Sequence, residues 1–181
     1  MIQRPMTAVV LETKRLALRH LVSGDEPFVV QLLNEPAFLR NIGDRGVRTL
    51  EDARVYLEKG PLESYRQRGF GLYLVSTKAE QVAIGMCGLL ERPYLPDVDV
   101  GFAFLPAFWG RGYALEAAAG VLAFGTEKLR LRRIVAIVAP GNERSIRLLE
   151  KLGLRYHNML RTPEGDDVKL FVPVANQPHD S

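Results

Sequence analysis

The chain of 181 residues contains only one cysteine, Cys87. A single thiol cannot form an internal disulfide, which fits a reducing compartment, and we expect a cytoplasmic protein. Cys87 lies in an apolar run, a setting typical of a small core residue rather than a reactive thiol. Histidine is also scarce, and the three positions His20, His157 and His179 show no paired spacing. We therefore predict no metal site.

Long apolar runs and a strong charge excess are missing as well. Hydrophobic residues make up 47% of the chain, but no run approaches the ~20 residues that a membrane-spanning helix needs, and no segment resembles a signal peptide. Lysine and arginine number 24 against 21 acidic residues, a net charge of +3. This excess is too small to indicate a nucleic-acid partner, although it suits an anionic ligand.

The familiar nucleotide-binding loops are absent, but another glycine-rich loop is present. No Walker sequence occurs, and Leu115 stands where a dinucleotide fingerprint requires its third glycine. The stretch LPAFWGRGYALEAAA, residues 105–119, instead places Gly110 and Gly112 directly before an Ala-rich helical segment. A helix start leaves backbone N–H groups without partners, and glycine lets a phosphate approach closely. The loop predicts a phosphate-bearing ligand, with a plain connection as the alternative.

A second motif follows this loop. The apolar run RIVAIVAP, residues 133–140, precedes GNERSIRLLEKLGL, residues 141–154. This pattern predicts a strand, a polar turn and a helix. Asn142 can cap the helix, and Gly153 can end it in the left-handed conformation.

Together these motifs resemble the GNAT superfamily of acetyl-CoA-dependent N-acetyltransferases, within it the branch of ribosomal-protein N-terminal (alanine) acetyltransferases. The resemblance begins at TKRLALRHL, residues 13–21, and continues beyond NERSIRLLEKLGL. The family's pyrophosphate motif is Gln or Arg, two residues, Gly, one residue, then Gly or Ala. Gly112 and Ala114 match its last two positions, whereas Trp109 departs from the first.

The segment pattern predicts an α/β (α+β) fold consisting of one domain over residues 1–181, with a core of about 9–173 and a loose tail at 174–181. We expect a GNAT-like mixed, mostly antiparallel seven-stranded sheet with about four helices on its two faces. Capping boxes at Ser23 with Glu26 and at Thr49 with Asp52 predict the first two helices. Strands are expected near 14–19, 70–77, 82–90, 98–105, 133–138, 154–160 and 168–172, and the later helices near 112–128 and 142–152.

The resemblance also implies a set of residues that bind acetyl-CoA. The backbone of Phe104 and Leu105 would face the thioester and pantetheine, the loop would hold the pyrophosphate, and Asn142 would contact the pantetheine amide. A strand end, a solvated arginine, aromatic packing and helix capping are the alternatives for these positions. The full expected set is Phe104, Leu105, Trp109, Gly110, Arg111, Gly112, Tyr113, Ala114 and Asn142.

Two residues are candidates for proton transfer. Asp99 is favoured over Asp97 as the base that takes the proton of the amine; a solvated strand edge is the alternative. Many relatives carry a tyrosine acid where this chain has Leu149. The resemblance indicates Ser145, one turn earlier, as the substitute, although Ser145 could also serve only in the first turn as a cap partner.

The resemblance implies an N-acetyltransferase that moves an acetyl group directly from acetyl-CoA to a primary amine. The acceptor stays open between a protein N-terminal amine and a small-molecule amine. Its pocket is expected between the early helical segment, around residues 38–41 and Tyr65, and the loop 161–167. The alternative is a catalytically weak GNAT-like module that binds acetyl-CoA or a protein partner. We expect a monomer or homodimer, no membrane partner, and no nucleic acid.

Overall fold

A single mixed sheet of eight strands forms the centre of the computed structural model, which describes residues 8–174. The strand order is β1-β2-β3-β4-β5-β6-β8-β7, and every neighbouring pair is antiparallel except β5 with β6. The expected tail lies outside the described residues except for Val174. The strands are β1 Val9–Glu12, β2 Leu16–His20, β3 Leu72–Thr77, β4 Ala83–Leu90, β5 Val98–Phe104, β6 Ile134–Val138, β7 Leu154–Arg161 and β8 Asp167–Pro173.

The mixed, mostly antiparallel sheet is confirmed, but the expected count of seven strands was one too low. The additional strand is β1, a four-residue edge strand whose two end residues are exposed. Such a short segment gives little hydrophobic alternation, because it packs against the fold on only one side.

Helices cover both faces of the sheet. They are α1 Glu26–Leu33, α2 Pro36–Asn41, α3 Leu50–Leu57, α4 Glu63–Arg68, α5 Tyr113–Glu127 and α6 Glu143–Lys151. A π-helical segment, Glu58–Leu62, contains Pro61 and joins α3 to α4, so the chain is helical without interruption over residues 50–68. The described residues therefore form five helical bodies against about four expected, and the additional one is the six-residue α2.

One of the two predicted capping boxes is present. Thr49 Oγ1 accepts the Asp52 N–H at 3.1 Å, and the Asp52 carboxylate accepts the Thr49 N–H at 2.9 Å. The box at Ser23 and Glu26 was a wrong prediction. Helix α1 begins after Asp25, whose carboxylate instead accepts the Val22 N–H at 2.9 Å and takes no part in capping.

The sheet separates two hydrophobic clusters. The α5 core lies under α5 and α6 and includes Leu18, Cys87, Val121 and Leu149. The α1 core lies on the opposite face and includes Leu32, Leu57, Met86 and Leu105. Cys87 is completely buried, and burial raises the pKa of its thiol, which fits a packing role.

Strands β5 and β6 separate soon after they meet. Their parallel pairing covers only Val98 with Ile134 and Asp99 with Val135. Beyond Asp99, the edge of β5 that faces β6 is no longer covered by that strand. This divergence produces a cleft that opens toward the carboxyl ends of both strands.

Candidate functional site

The open edge of β5 supplies the first part of the site. The Leu105 N–H donates to the Ile84 carbonyl of β4 at 2.9 Å, so odd-numbered residues of this segment bond toward β4. Because backbone groups alternate in direction along a strand, Phe102 and Phe104 direct theirs toward the cleft. Of the two residues expected here, Phe104 is therefore the one whose backbone faces the cleft.

The glycine loop forms the end of this cleft. Gly110 and Gly112 have φ angles of +74° and +78°, the left-handed region that glycine adopts without strain. Helix α5 follows at once, and no side chain caps its N-terminus. The first helical bond is from the Glu116 N–H to the Gly112 carbonyl at 3.0 Å. The preceding N–H groups, including those of Tyr113 and Ala114, are thus left for an anion.

Trp109 links the loop to the opposite wall of the cleft. Its indole Nε1–H donates to the Phe104 carbonyl at 2.9 Å, and the Arg144 guanidinium of α6 lies 4.4 Å from the ring centroid. The guanidinium of Arg111 lies 5.6 Å from the centroid of the Phe108 ring. Both aromatic contacts are made by residues next to the glycines, so they help to fix the shape of the loop.

Helix α6 places Asn142 and Ser145 at the start of the opposite wall. The Asn142 side-chain oxygen accepts the Ser145 N–H at 3.2 Å, so Asn142 is the cap and keeps its amide N–H₂ group for other contacts. Within residues 8–174 the Ser145 hydroxyl makes no hydrogen bond. Leu149 is 1% exposed and packs in the α5 core. Position 149, where the resemblance leads us to expect a tyrosine, is thus part of the hydrophobic interior.

Asp99 lies where β5 and β6 begin to separate. It is 1% exposed, and Arg92 Nε donates to its Oδ1 at 3.0 Å. Burial raises the pKa of the Asp99 carboxyl above its ordinary value, while the charge of Arg92 opposes that shift. Asp97, the other candidate, is more exposed and lies 3.4 Å from Arg133. Asp99 is therefore a buried carboxylate with one cationic partner, and the solvated-edge alternative does not describe it.

The residues expected around the acceptor have roles in the fold. The Tyr65 hydroxyl accepts the Leu21 N–H at 3.2 Å and donates to the Leu72 carbonyl. Its ring stacks on His20 with centroids 4.1 Å apart. Phe38 is buried in the α1 core. The turn at 161–167 is closed by a 2.8 Å bond from the Thr162 N–H to the Asp166 carbonyl.

Three residues beside the glycine loop were not predicted from the sequence. Thr13 and Arg15, in the turn between β1 and β2, bind Glu116 in the first turn of α5. All three lie within the motifs TKRLALRHL and LPAFWGRGYALEAAA, but their sequence separation of about a hundred residues gave no sign of contact. Only the fold brings the turn to the loop.

Other kinds of site find no support in the part of the chain that the structure describes. Residues 8–174 contain no group of three or more His, Cys, Asp and Glu side chains able to hold a metal ion. Over the same residues, no helix combines the length and apolar character that crossing a membrane requires.

Comparison with known proteins places this geometry in a family. Residues 15–155 match the model of the acetyltransferase (GNAT) domain. The uncharacterized protein YkkB of Bacillus subtilis is 29% identical over 156 residues, which cover 83% of this chain and 88% of YkkB.

Two solved structures share the fold. An acetyltransferase from Agrobacterium tumefaciens superposes with a TM-score of 0.77 at 24% identity, covering 91% of this chain and 93% of that one. RimL, a ribosomal L7/L12 alpha-N-protein acetyltransferase solved in complex with coenzyme A, gives a TM-score of 0.77 at 17% identity, covering 92% and 98%. With a divided sheet, an uncapped glycine loop and a family model that matches most of its length, the chain belongs to the GNAT acetyltransferase family.

Proposed function

We propose that this protein is an acetyl-CoA-dependent N-acetyltransferase that acetylates a primary amine by direct transfer. The observation that carries the proposal is the open edge of β5, which the loop 105–112 connects to the uncapped N-terminus of α5. Such an arrangement offers backbone groups to an extended amide chain and N–H groups to a diphosphate. Membership in the family and the coenzyme A held by RimL support this cosubstrate.

The residues present fit acetyl-CoA. The N–H groups of Gly112, Tyr113 and Ala114 would hold the pyrophosphate, and Gly110 would let it approach the backbone. Pantetheine amides would bond to the backbone of Phe104 and to the side chain of Asn142. Acetyl-CoA itself supplies the activated acetyl group as a thioester. The chain contributes the alignment of the thioester with the amine.

The remaining contact residues have secondary roles in this proposal. The Leu105 backbone is hydrogen-bonded to β4, and its side chain packs in the α1 core, so Leu105 holds the end of β5 in place without facing the cleft. Trp109 holds the Phe104 carbonyl and stacks with Arg144, and a pantetheine amide would compete with its indole N–H for that carbonyl. Arg111 is exposed and adds positive charge beside the pyrophosphate site.

Asp99 would accept the proton of the amine, directly or through water, and Ser145 would donate a proton to the departing thiolate. Asp99 lies at the apex where the strands part, and the Ser145 hydroxyl has no competing partner in residues 8–174. An α-amine of pKa about 7.8 is roughly one-tenth neutral at pH 7, whereas a lysine of pKa about 10.4 is neutral in only about four molecules in ten thousand. Because a larger fraction of an N-terminal amine is already neutral, its acetylation depends less on a catalytic base than that of a lysine.

The acceptor is proposed to be a protein N-terminal amine, as in the ribosomal-protein branch, or a small-molecule amine. RimL, whose name records an α-N-protein substrate, supports the first choice through its fold alone. The alternative function is a catalytically weak module that binds acetyl-CoA or a partner. It is favoured by one observation: Leu149 occupies the tyrosine position within the core.

The first test is thermal unfolding with acetyl-CoA, coenzyme A and ATP. At one hundred times its dissociation constant, a ligand stabilises the fold by about 2.7 kcal/mol, a shift of several degrees at this size. Shifts with both coenzymes and little with ATP support the proposal, whereas no shift at saturation contradicts it. Release of free thiol over a panel of amines then separates the enzyme from the inert module.

A further inference from the structure

We propose that Thr13, Arg15 and Glu116 form a clamp that fixes the phosphate loop in its binding conformation, so that they act as positioning residues for acetyl-CoA. We call these three residues the turn clamp. The inference rests on the proposed function. It adds a role for the turn between β1 and β2, which lies outside the cleft between β5 and β6.

Glu116 is the centre of the turn clamp. Its Oε1 accepts the Thr13 hydroxyl at 2.6 Å and the Arg15 backbone N–H at 2.7 Å, while Arg15 Nε donates to its Oε2 at 2.6 Å. Three charge-assisted hydrogen bonds on one carboxylate are strong and directional. They fasten the first turn of α5 to the turn between β1 and β2.

The position of Glu116 needs explanation, because a carboxylate in the first turn of a phosphate-binding helix repels the phosphate. Burial alone would raise the pKa of Glu116, but its hydrogen bonds with Thr13 and Arg15 outweigh burial and lower that pKa. The carboxylate therefore stays ionised, and the adjacent guanidinium compensates its charge. Glu116 therefore anchors the first turn of α5 to the turn between β1 and β2, and the Arg15 guanidinium offsets its negative charge beside the loop.

Arg15 also sets the direction of a loop peptide. Its Nη1 donates to the Arg111 carbonyl at 2.9 Å, and its guanidinium lies 4.4 Å from the centroid of the Tyr113 ring. A trans peptide places the C=O and the next N–H on opposite sides. The bond to the Arg111 carbonyl consequently turns the Gly112 N–H away from Arg15, which leaves that N–H free for a phosphate oxygen.

Position 112 favours glycine because its φ is +78°, in the left-handed region. Arg15 lies beside it, and an added Cβ would lie 3.3 Å from Arg15 Nη2, so the end of the arginine would have to shift. Loop conformation and arginine placement are therefore coupled through this contact and through the bond to the Arg111 carbonyl. Loss of the arginine frees the peptide to rotate, and the affinity for the diphosphate falls.

The test compares Arg15→Met and Glu116→Gln with Arg54→Met. Arg54 pairs with Glu51 at 2.5 Å on α3, so its substitution removes a similar ion pair at a distance from the loop. Calorimetry should show an acetyl-CoA Kd about tenfold higher for Arg15→Met, with a parallel rise in KM, an unchanged kcat and no change for Arg54→Met. The double variant should lose no more affinity than the worse single variant, because both changes open the same clamp.

Two outcomes would overturn the clamp. Wild-type affinity in Arg15→Met would exclude it while leaving the acetyltransferase intact, and failure of the wild-type protein to bind either coenzyme would remove the proposed function together with the clamp. If Arg15→Met does not fold, Arg15→Lys keeps the charge but not the planar fork. A weaker Kd with an unchanged unfolding temperature in Arg15→Lys supports positioning; an unchanged Kd rejects it.

Discussion

Asp99 combines almost complete burial with a single ionic partner, Arg92. Because burial raises its pKa, the carboxyl becomes protonated at a higher pH than the ordinary value of about 3.9. A base must be deprotonated, so kcat/KM should fall on the acid side at a pH above that value. The same shift affects stability in the opposite direction. Because the pKa of Asp99 is higher in the folded protein than in the unfolded chain, its contribution to the free energy of unfolding is lost as pH rises through the folded-state pKa.

Asp99→Asn should lower turnover on the order of a hundredfold and remove this acid limb. The matched control is Asp97→Asn, since Asp97 pairs with Arg133 just before the same strand and should keep wild-type turnover. pH–rate profiles with saturating acetyl-CoA provide the measurement. An Asp99→Asn enzyme that retains both its turnover and its acid limb would exclude this carboxylate as the base.

Ser145→Ala should reduce turnover while leaving the Kd for acetyl-CoA unchanged. The capping bond at this position uses the backbone N–H of Ser145 and the side chain of Asn142, so removal of the hydroxyl leaves the cap in place. Turnover by thiol release and affinity by calorimetry distinguish the two effects. Unchanged turnover would mean that the thiolate takes its proton from another donor or from water.

Among single residues, those with a local structural role could be predicted from the sequence, whereas contacts between distant side chains could not. Asn142 and the glycines of the loop were predictable, because capping and left-handed turns depend on neighbours along the chain. The Asp99–Arg92 pair and the turn clamp were not predicted, since both depend on side chains that only the folded sheet brings together. Distant contacts leave no local signal.

At the scale of elements, the loop before α5 gives a prediction about backbone geometry. Gly112→Ala places a side chain in the left-handed region beside Arg15 and should cost about 1–2 kcal/mol of stability. Gly165→Ala is the matched control: its φ is +96°, nothing lies within 4 Å of an added Cβ, and it belongs to the turn between β7 and β8. Both variants should be less stable, but only Gly112→Ala should also lose acetyl-CoA affinity.

Thermal unfolding and calorimetry on the same two variants measure both effects. Equal loss of affinity in Gly165→Ala would show that general destabilisation, rather than loop geometry, weakens binding. Unchanged affinity in Gly112→Ala would show that the left-handed conformation of this residue is dispensable for the ligand.

Elements with strong local signals were predictable, and weak ones were not. The box at Thr49 and the long α5 were recognised because caps and apolar periodicity are read from adjacent residues. The edge strand β1 was missed, and the six-residue α2 was left out of the helix count although residues 38–41 were expected in a helical segment, because such short elements depend on tertiary packing. The capping box expected at Ser23 is absent, and the neighbouring Asp25 carboxylate instead accepts hydrogen bonds from the Arg19 guanidinium and from the Val22 N–H.

For the whole molecule, the sheet keeps the two cores apart, and this predicts how stability and binding are related. Leu32 is 1% exposed in the α1 core, so Leu32→Ala should lower the unfolding free energy by about 2–5 kcal/mol. Acetyl-CoA binding would use the cleft between β5 and β6. A fixed acetyl-CoA concentration of one hundred times the wild-type Kd should thus still add about 2.7 kcal/mol to the unfolding free energy of Leu32→Ala.

Denaturant unfolding with and without acetyl-CoA measures both quantities in one experiment. A ligand increment that shrinks in Leu32→Ala would show that the α1 core helps to shape the cleft. The prediction holds only if the increment matches that of the wild-type protein.

The chain carries two built-in reporters, because it has one cysteine and one tryptophan. Cys87, completely buried in the middle of β4, should react with a thiol-labelling dye only when the centre of the sheet opens. Trp109, at the mouth of the cleft, should respond in its fluorescence to whatever displaces its indole from the Phe104 carbonyl. Opening of the sheet and binding in the cleft can accordingly be followed by separate signals, without any substitution to introduce a label site.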